Sequence, residues 1–128
     1  MLPRTARLRT PGDFRRVYGR GHRAHGRILV AIGFARRDPG HRLGVAVSKE
    51  HGRAVRRNKF KRILREAFRL ERPSLPGAFD IILIPRPVEG HLELAEVRTE
   101  LRRLVEQLCK GGRPRGRAGG RPKNRRRR

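Results

Sequence analysis

Residues 52–70, GRAVRRNKFKRILREAFRL, place two opposed chemistries on one helical period, and this segment constrains the fold more than any other. Phe60, Ile63, Leu64, Ala67 and Phe68 recur at i, i+3, i+4, i+7 and i+8, so they make one apolar stripe that must face a core. At about 100° per residue, Asn58, Arg62, Arg65 and Arg69 gather on the opposite side. Lys61 lies at the edge of that group, and Arg53, Arg56, Arg57 and Lys59 crowd the first turns. Like charges one turn apart repel by a few tenths of a kcal/mol per pair, roughly. Within the segment only Glu66, four residues after Arg62, offers relief. Such a helix is held by packing on one side and calls for an anionic partner on the other. Asn58 stands uncharged among the cations; its amide donates and accepts at once, which suits a base edge or a ribose.

The whole chain shares this bias. Its 128 residues include 35 Lys plus Arg against 11 Asp plus Glu, a formal net charge of +24. Only five of the cations are Lys, and Arg suits RNA because its planar fork grips phosphate and stacks on bases. Ten of the cations lie in residues 110–128, a Gly- and Pro-rich stretch without acids that is expected to be a disordered basic tail. Residues 1–109 still carry +14, so the expected folded domain is itself basic and needs a polyanionic partner. The single cysteine, Cys109, cannot form an internal disulfide, and it reads as a core residue at a helix end. No apolar run approaches the roughly 20 residues of a membrane span, and no secretory signal is visible, so the expected location is the cytoplasm.

The remaining elements fall out in order. Thr10 before Pro11 starts a short helix whose Phe14, Val17 and Tyr18 share a face. Residues 27–34 alternate, with Ile28, Val30, Ile32 and Phe34 on one side, and read as a strand. After the turn Asp38-Pro39-Gly40, residues 43–48 (LGVAVS) read as its antiparallel partner. Residues 79–84 (FDIILI) are almost wholly apolar, as suits a central strand. Leu94, Val97, Leu101, Leu104, Val105 and Leu108 predict a closing helix. The fold class is α+β, a single-domain α-β-β-α-β-α sandwich of a small sheet and packed helices, with room for a brief extra strand near residues 22–26.

No catalytic set is evident. His22, His25, His41, His51 and His91 are scattered without metal-ligand spacing and read as ordinary surface residues, and no nucleophile-base pair or acid cluster is suggested. Composition alone leaves three readings open: a small ribosomal protein with a basic extension, a DNA-binding or nucleoid protein, and a stand-alone nuclease. No second helix is spaced for a helix-turn-helix, and a nuclease would want a metal-binding acid cluster.

Residues 56–66, RRNKFKRILRE, resemble the signature of the bacterial ribonuclease P protein, an Arg-Asn-Arg triplet followed by x-Lys-Arg-x-x-Arg. The resemblance runs over residues 1 to about 109 and includes DFRRVY (13–18), GVAVSK (44–49), the Gly-x-Ala-Val of 52–55 and FDIILIPRP (79–87). Two positions depart from the pattern. Lys59 fills the third place of the triplet, and Arg53 stands where the family often has Asn; both keep or add positive charge. The resemblance implies a left-handed β-α-β crossover around the basic helix. It implies a catalytic RNA subunit that hydrolyses the phosphodiester with magnesium held mainly by RNA. The protein then binds that RNA and the 5′ leader of precursor tRNA and promotes removal of the leader, with no obligate protein partner evident. Carried over by motif, Arg57, Asn58, Lys59, Lys61, Arg62 and Arg65 contact the RNA subunit, with Arg53, Arg56 and Arg69 beside them. Phe14, Tyr18 and Phe34, with Ser48 and Lys49, correspond to the leader cleft, where stacking on aromatic rings tolerates any base sequence.

Overall fold

The computed structural model describes residues 2–87 and 90–111. Helix α1 (Pro11–Arg20) is followed by strands β1 (His22–His25), β2 (Leu29–Ala35) and β3 (Arg42–Val45), helix α2 (Ala54–Glu71), strand β4 (Phe79–Pro85) and helix α3 (Leu94–Gly111). Single turns of 3-10 helix lie at Arg4–Ala6, Lys49–His51 and Arg72–Ser74. The α+β class and the order of elements stand as expected, with the extra strand present as β1. Lys110 and Gly111, assigned above to the tail, complete α3. The rest of the expected tail, 112–128, lies outside the described residues. Among the described residues no helix is long and apolar enough to cross a membrane.

The four strands lie in the order β1-β2-β4-β3. One pairing differs from expectation. β3 is not the partner of β2; β4 lies between them, antiparallel to β2 (Ile32 opposite Ile82) and parallel to β3 (Leu43 opposite Ile81). The reason lies in β4 itself. Its residues are buried on both faces apart from Ile84, so it gains most from a neighbour on each side. β3 reaches it through α2, and such a crossover makes the two strands parallel neighbours.

On one face Leu29, Ala31, Leu43, Ile81 and Leu83 meet Phe60, Leu64, Ala67 and Phe68 of α2 and Val97, Leu101, Leu104, Val105 and Leu108 of α3. A Cβ at Gly33 would come within 2.7 Å of Leu108 Cδ1, so a glycine is what lets α3 lie this close to β2. On the other face Ile32 and Ile82 meet Val17 of α1 and Leu8, with Phe14, Phe34, Ala46 and Ile84 half-buried around them. Among the described residues this second layer holds a single helix, and the sheet stays open beyond it. The N-terminal segment, for which no element was expected, buries Leu2, Ala6 and Leu8, and the Leu8 amide donates to the Leu43 carbonyl (2.9 Å) at the β3 edge.

Helix boundaries follow local chemistry. Thr10 Oγ1 accepts the Asp13 N–H at 3.1 Å and starts α1. α2 begins at Ala54, two residues after the start of the expected helical segment 52–70. Gly52, at φ 110°, breaks the chain in a conformation that L side chains rarely adopt. The buried Glu71 at the end of α2 accepts from Arg98 Nε (2.6 Å) and an Arg102 guanidinium nitrogen (3.0 Å), which fastens α2 to α3. Glu100 of α3 reaches the opposite way, accepting the amides of Ile28 and Leu29, each at 2.7 Å.

Two histidines and the cysteine sit where their sequence reading does not place them. His41 is buried: the Phe79 amide donates to Nδ1 (3.1 Å), Nε2–H faces the Leu75 carbonyl (3.3 Å), and the ring stacks on Phe79. Burial pushes its pKa below the usual imidazole value, and Arg72 and Arg36 add to this against the pull of the Leu75 carbonyl. His51 is buried as well and belongs to the site below. Cys109, by contrast, is exposed, one residue past the last core position of α3. Partial burial and the Glu106 carboxylate push its thiol pKa up, which disfavours a thiolate.

Candidate nucleic-acid interface

Packing turns α2 so that its polar side points away from the sheet. Phe60, Leu64, Ala67 and Phe68 are buried and Ile63 is half-buried, while Asn58, Lys59, Arg62 and Arg65 are exposed. Lys61 and Arg57 are half-buried on the flank. Glu66 pairs with Arg69 and not with Arg62: Arg69 Nε and a terminal nitrogen reach its two oxygens at 3.0 and 2.6 Å. Hydrogen bonding from Arg69 holds the Glu66 carboxyl below its usual range, so the pair stays ionised. Arg69 is therefore partly neutralised, and the uncompensated stretch of the face is Asn58, Lys59, Arg62 and Arg65.

The start of α2 is electrostatically costly. Its first turn holds no acid, and Arg53 supplies no capping side-chain bond. Cations there oppose the positive end of the helix dipole, a place that favours anions. Two of the arginines also build the junction. Arg56 Nε donates to the His51 carbonyl (3.0 Å) with its guanidinium 4.8 Å from the centre of the Phe60 ring, and Arg57 Nε donates to the Gly52 carbonyl (3.1 Å).

The open part of the sheet forms a cleft of about 450 Å³ between α1 and the 48–51 turn, walled by Tyr18, Val30, Val47, Ile84 and Pro85, with Ser48, Glu50 and Arg86 at its polar edge. Tyr18 is 42% exposed, so its ring is available to a ligand. Of the residues assigned to a cleft by resemblance, Tyr18 and Ser48 line it. Phe14, Phe34 and Lys49 stand apart from its lining. The Phe14 ring lies over Gly44, where a Cβ would come within 2.6 Å of Phe14 Cε1, and Phe34 is half-buried against the second core layer. Lys49 is exposed in the turn after Ser48.

His51 joins the cleft to the basic helix. The Ser48 amide donates to its Nδ1 (2.9 Å), and its Nε2–H donates to the Pro85 carbonyl (2.6 Å) at the cleft wall. Its ring meets Phe60 of α2 edge-on at 6.1 Å. Sequence reasoning missed His51 because nothing local marks it as buried. Arg86 was missed too, although its place directly after β4 was a usable signal; its Nε donates to the Gly26 carbonyl (2.8 Å). Among the described residues no three or more His, Cys, Asp or Glu side chains come together as a metal site. The arrangement offers exposed cations to a phosphate backbone and, linked to their helix through His51, a largely apolar cleft.

The family model described as Ribonuclease P matches residues 2–109. The ribonuclease P protein component of Desulfovibrio desulfuricans is 38% identical over 114 residues, covering 86% of this chain and 88% of that protein. That of Desulfotalea psychrophila is 40% identical over 108 residues, covering 84% and 87%. Among solved structures, the RNase P protein of Thermotoga maritima superposes with a TM-score of 0.71 at 32% identity, covering 79% of this chain and 96% of the other. That of Staphylococcus aureus gives 0.68 at 33% identity, covering 80% and 94%. Sequence match, length and fold agree, and the chain belongs to the ribonuclease P protein family.

Proposed function

We propose that the chain is the protein subunit of a ribonucleoprotein ribonuclease P. The exposed face of α2 docks on the catalytic RNA, and the cleft beside Tyr18 holds the 5′ leader of precursor tRNA. The observation that carries this reading is the exposed run of cations Lys59, Arg62 and Arg65 around Asn58, with His51 linking the helix that bears them to an open, largely apolar cleft. Phosphates supply the negative charge that α2 lacks, and their binding releases counterions, which makes assembly depend on salt. A single-stranded leader presents unpaired bases, for which an aromatic ring and aliphatic walls are a sequence-tolerant surface. The protein's own part is to bind and orient. Magnesium, held mainly by the RNA, supplies the hydrolytic chemistry when bound.

The test separates leader from tRNA body. The reconstituted holoenzyme should bind precursor tRNA more tightly than mature tRNA. Tyr18→Ala should cut that preference by about tenfold, in line with the removal of one stacking platform, and leave mature tRNA affinity unchanged. Tyr18 is exposed, so the variant should fold normally. Equal reductions for the two tRNA forms would reject the cleft as the leader site.

A further inference from the structure

A second groove, also of about 450 Å³, runs along the other flank of α2, between its first turns and the residues before α3. Val55, Phe60, Ile63 and Leu92 supply its apolar lining; Arg53, Arg56 and Lys59 form its rim. Among the described residues no acidic side chain lines it. Val55 is 73% exposed, an aliphatic residue left in water at the start of an Arg-dense helix. Leaving it there forgoes the free energy of burying an aliphatic side chain, and no packing within the described fold recovers it.

Resting on the docking role proposed above, we infer that this groove receives one nucleotide of the RNA subunit turned out of its stack, the base against Val55 and Ile63 and its phosphates against Arg53 and Lys59. Charge selects the occupant: a rim of three cations fits an anionic partner, and a nucleotide joins a flat apolar face to an anionic backbone within a few ångströms. Size agrees, because the volume lies at the small-ligand end of binding sites, where a single base fits and a helix does not. Position agrees as well. Val55, Lys59 and Arg62 follow one another at i, i+4 and i+7, so RNA lying on Arg62 passes directly over the groove.

The test uses the full chain, a bacterial ribonuclease P RNA, and binding measured over a series of salt concentrations. Val55→Ala should lower affinity about five- to tenfold, the weaker end of the range for unseating one base. Its salt slope should not change, since Val55 touches no phosphate in the proposed complex. Lys59→Ala should lower affinity and reduce the slope by about one phosphate's worth. Alanine at an exposed helix position does not endanger folding. In a Cys109→Ser background, Val55→Cys carrying an aryl azide should crosslink to one or two unpaired nucleotides. A Val55→Ala affinity within twofold of the parent while Arg62→Ala still weakens binding would overturn the groove and leave the docking role standing. A groove that serves a protein would give that same result. If neither variant weakens binding, the docking role falls with it. Crosslinks spread over paired regions would also overturn the groove.

Discussion

Replacing Arg62 and Arg65 together by Ala is expected to weaken binding of a bacterial ribonuclease P RNA by roughly a hundredfold, about tenfold for each charge-assisted hydrogen bond to phosphate. Both side chains are exposed on α2, and no ion pair to either is found among the described residues. The fold should therefore be unaffected, and the melting temperature should hold or rise as like-charge repulsion along the helix is relieved. Plotted as log affinity against log salt, the slope should shrink by about 0.7–0.9 for each phosphate no longer neutralised. An unchanged slope would mean that these arginines do not meet phosphate. Arg69→Ala is the internal comparison. Arg69 already has Glu66 as a partner, so its removal frees a carboxylate and costs affinity mainly by repulsion.

The second large effect concerns folding. Asp80 in β4 is buried, and both its oxygens accept from Arg42 of β3, at 2.8 Å each, with Arg36 Nε at 3.5 Å. Arg42 also lies 3.9 Å from Asp13 in the first turn of α1. One carboxylate thus holds together β3, β4 and the chain leaving β2, and through Arg42 it reaches the helix that carries Tyr18. Asp80→Ala takes the bidentate partner from Arg42, which is 25% exposed and keeps, among the described residues, only Asp13 at 3.9 Å, and leaves Arg36, 17% exposed, with the Gly40 carbonyl and Asp38. Removing one partner of a buried pair costs about 3–5 kcal/mol; the residual exposure of Arg42 puts the expected destabilisation near the lower figure, read as a drop in the denaturant midpoint. Asp80→Asn, which keeps acceptor and size, should be clearly less destabilised. Equal drops for the two variants would show that packing and not charge is what Asp80 provides.

The parts of the fold that could be read from sequence are those whose signal is local. The stripe of Phe60, Ile63, Leu64, Ala67 and Phe68 repeats within two turns, the Thr10 cap lies three residues from its donor, and the apolar run of β4 marks its central place without reference to anything else. The parts that could not be read depend on partners far along the chain. Glu100 is buried because it serves amides at Ile28 and Leu29, Glu71 because Arg98 and Arg102 come from another helix, and His41 because Phe79 and Leu75 approach it. The parallel pairing of β3 with β4 is set across the whole of α2, so adjacency in sequence misled in favour of β2. The same holds for the site. The outward face of α2 follows from helical period alone, whereas the lining of the cleft does not. Phe14 and Tyr18 lie four residues apart on α1, yet one is seated over Gly44 and the other opens to solvent.

Reconstituted cleavage decides whether the chain serves as a ribonuclease P subunit. The full chain is added to a bacterial ribonuclease P RNA at near-physiological magnesium, and release of the 5′ leader from precursor tRNA is followed. The protein should accelerate cleavage at the mature 5′ end, and protein without RNA should cleave nothing. The Arg62→Ala, Arg65→Ala double variant should need far more protein to reach the same rate. Failure to stimulate a cognate RNA, or leader cleavage by the protein alone, would contradict the proposed role.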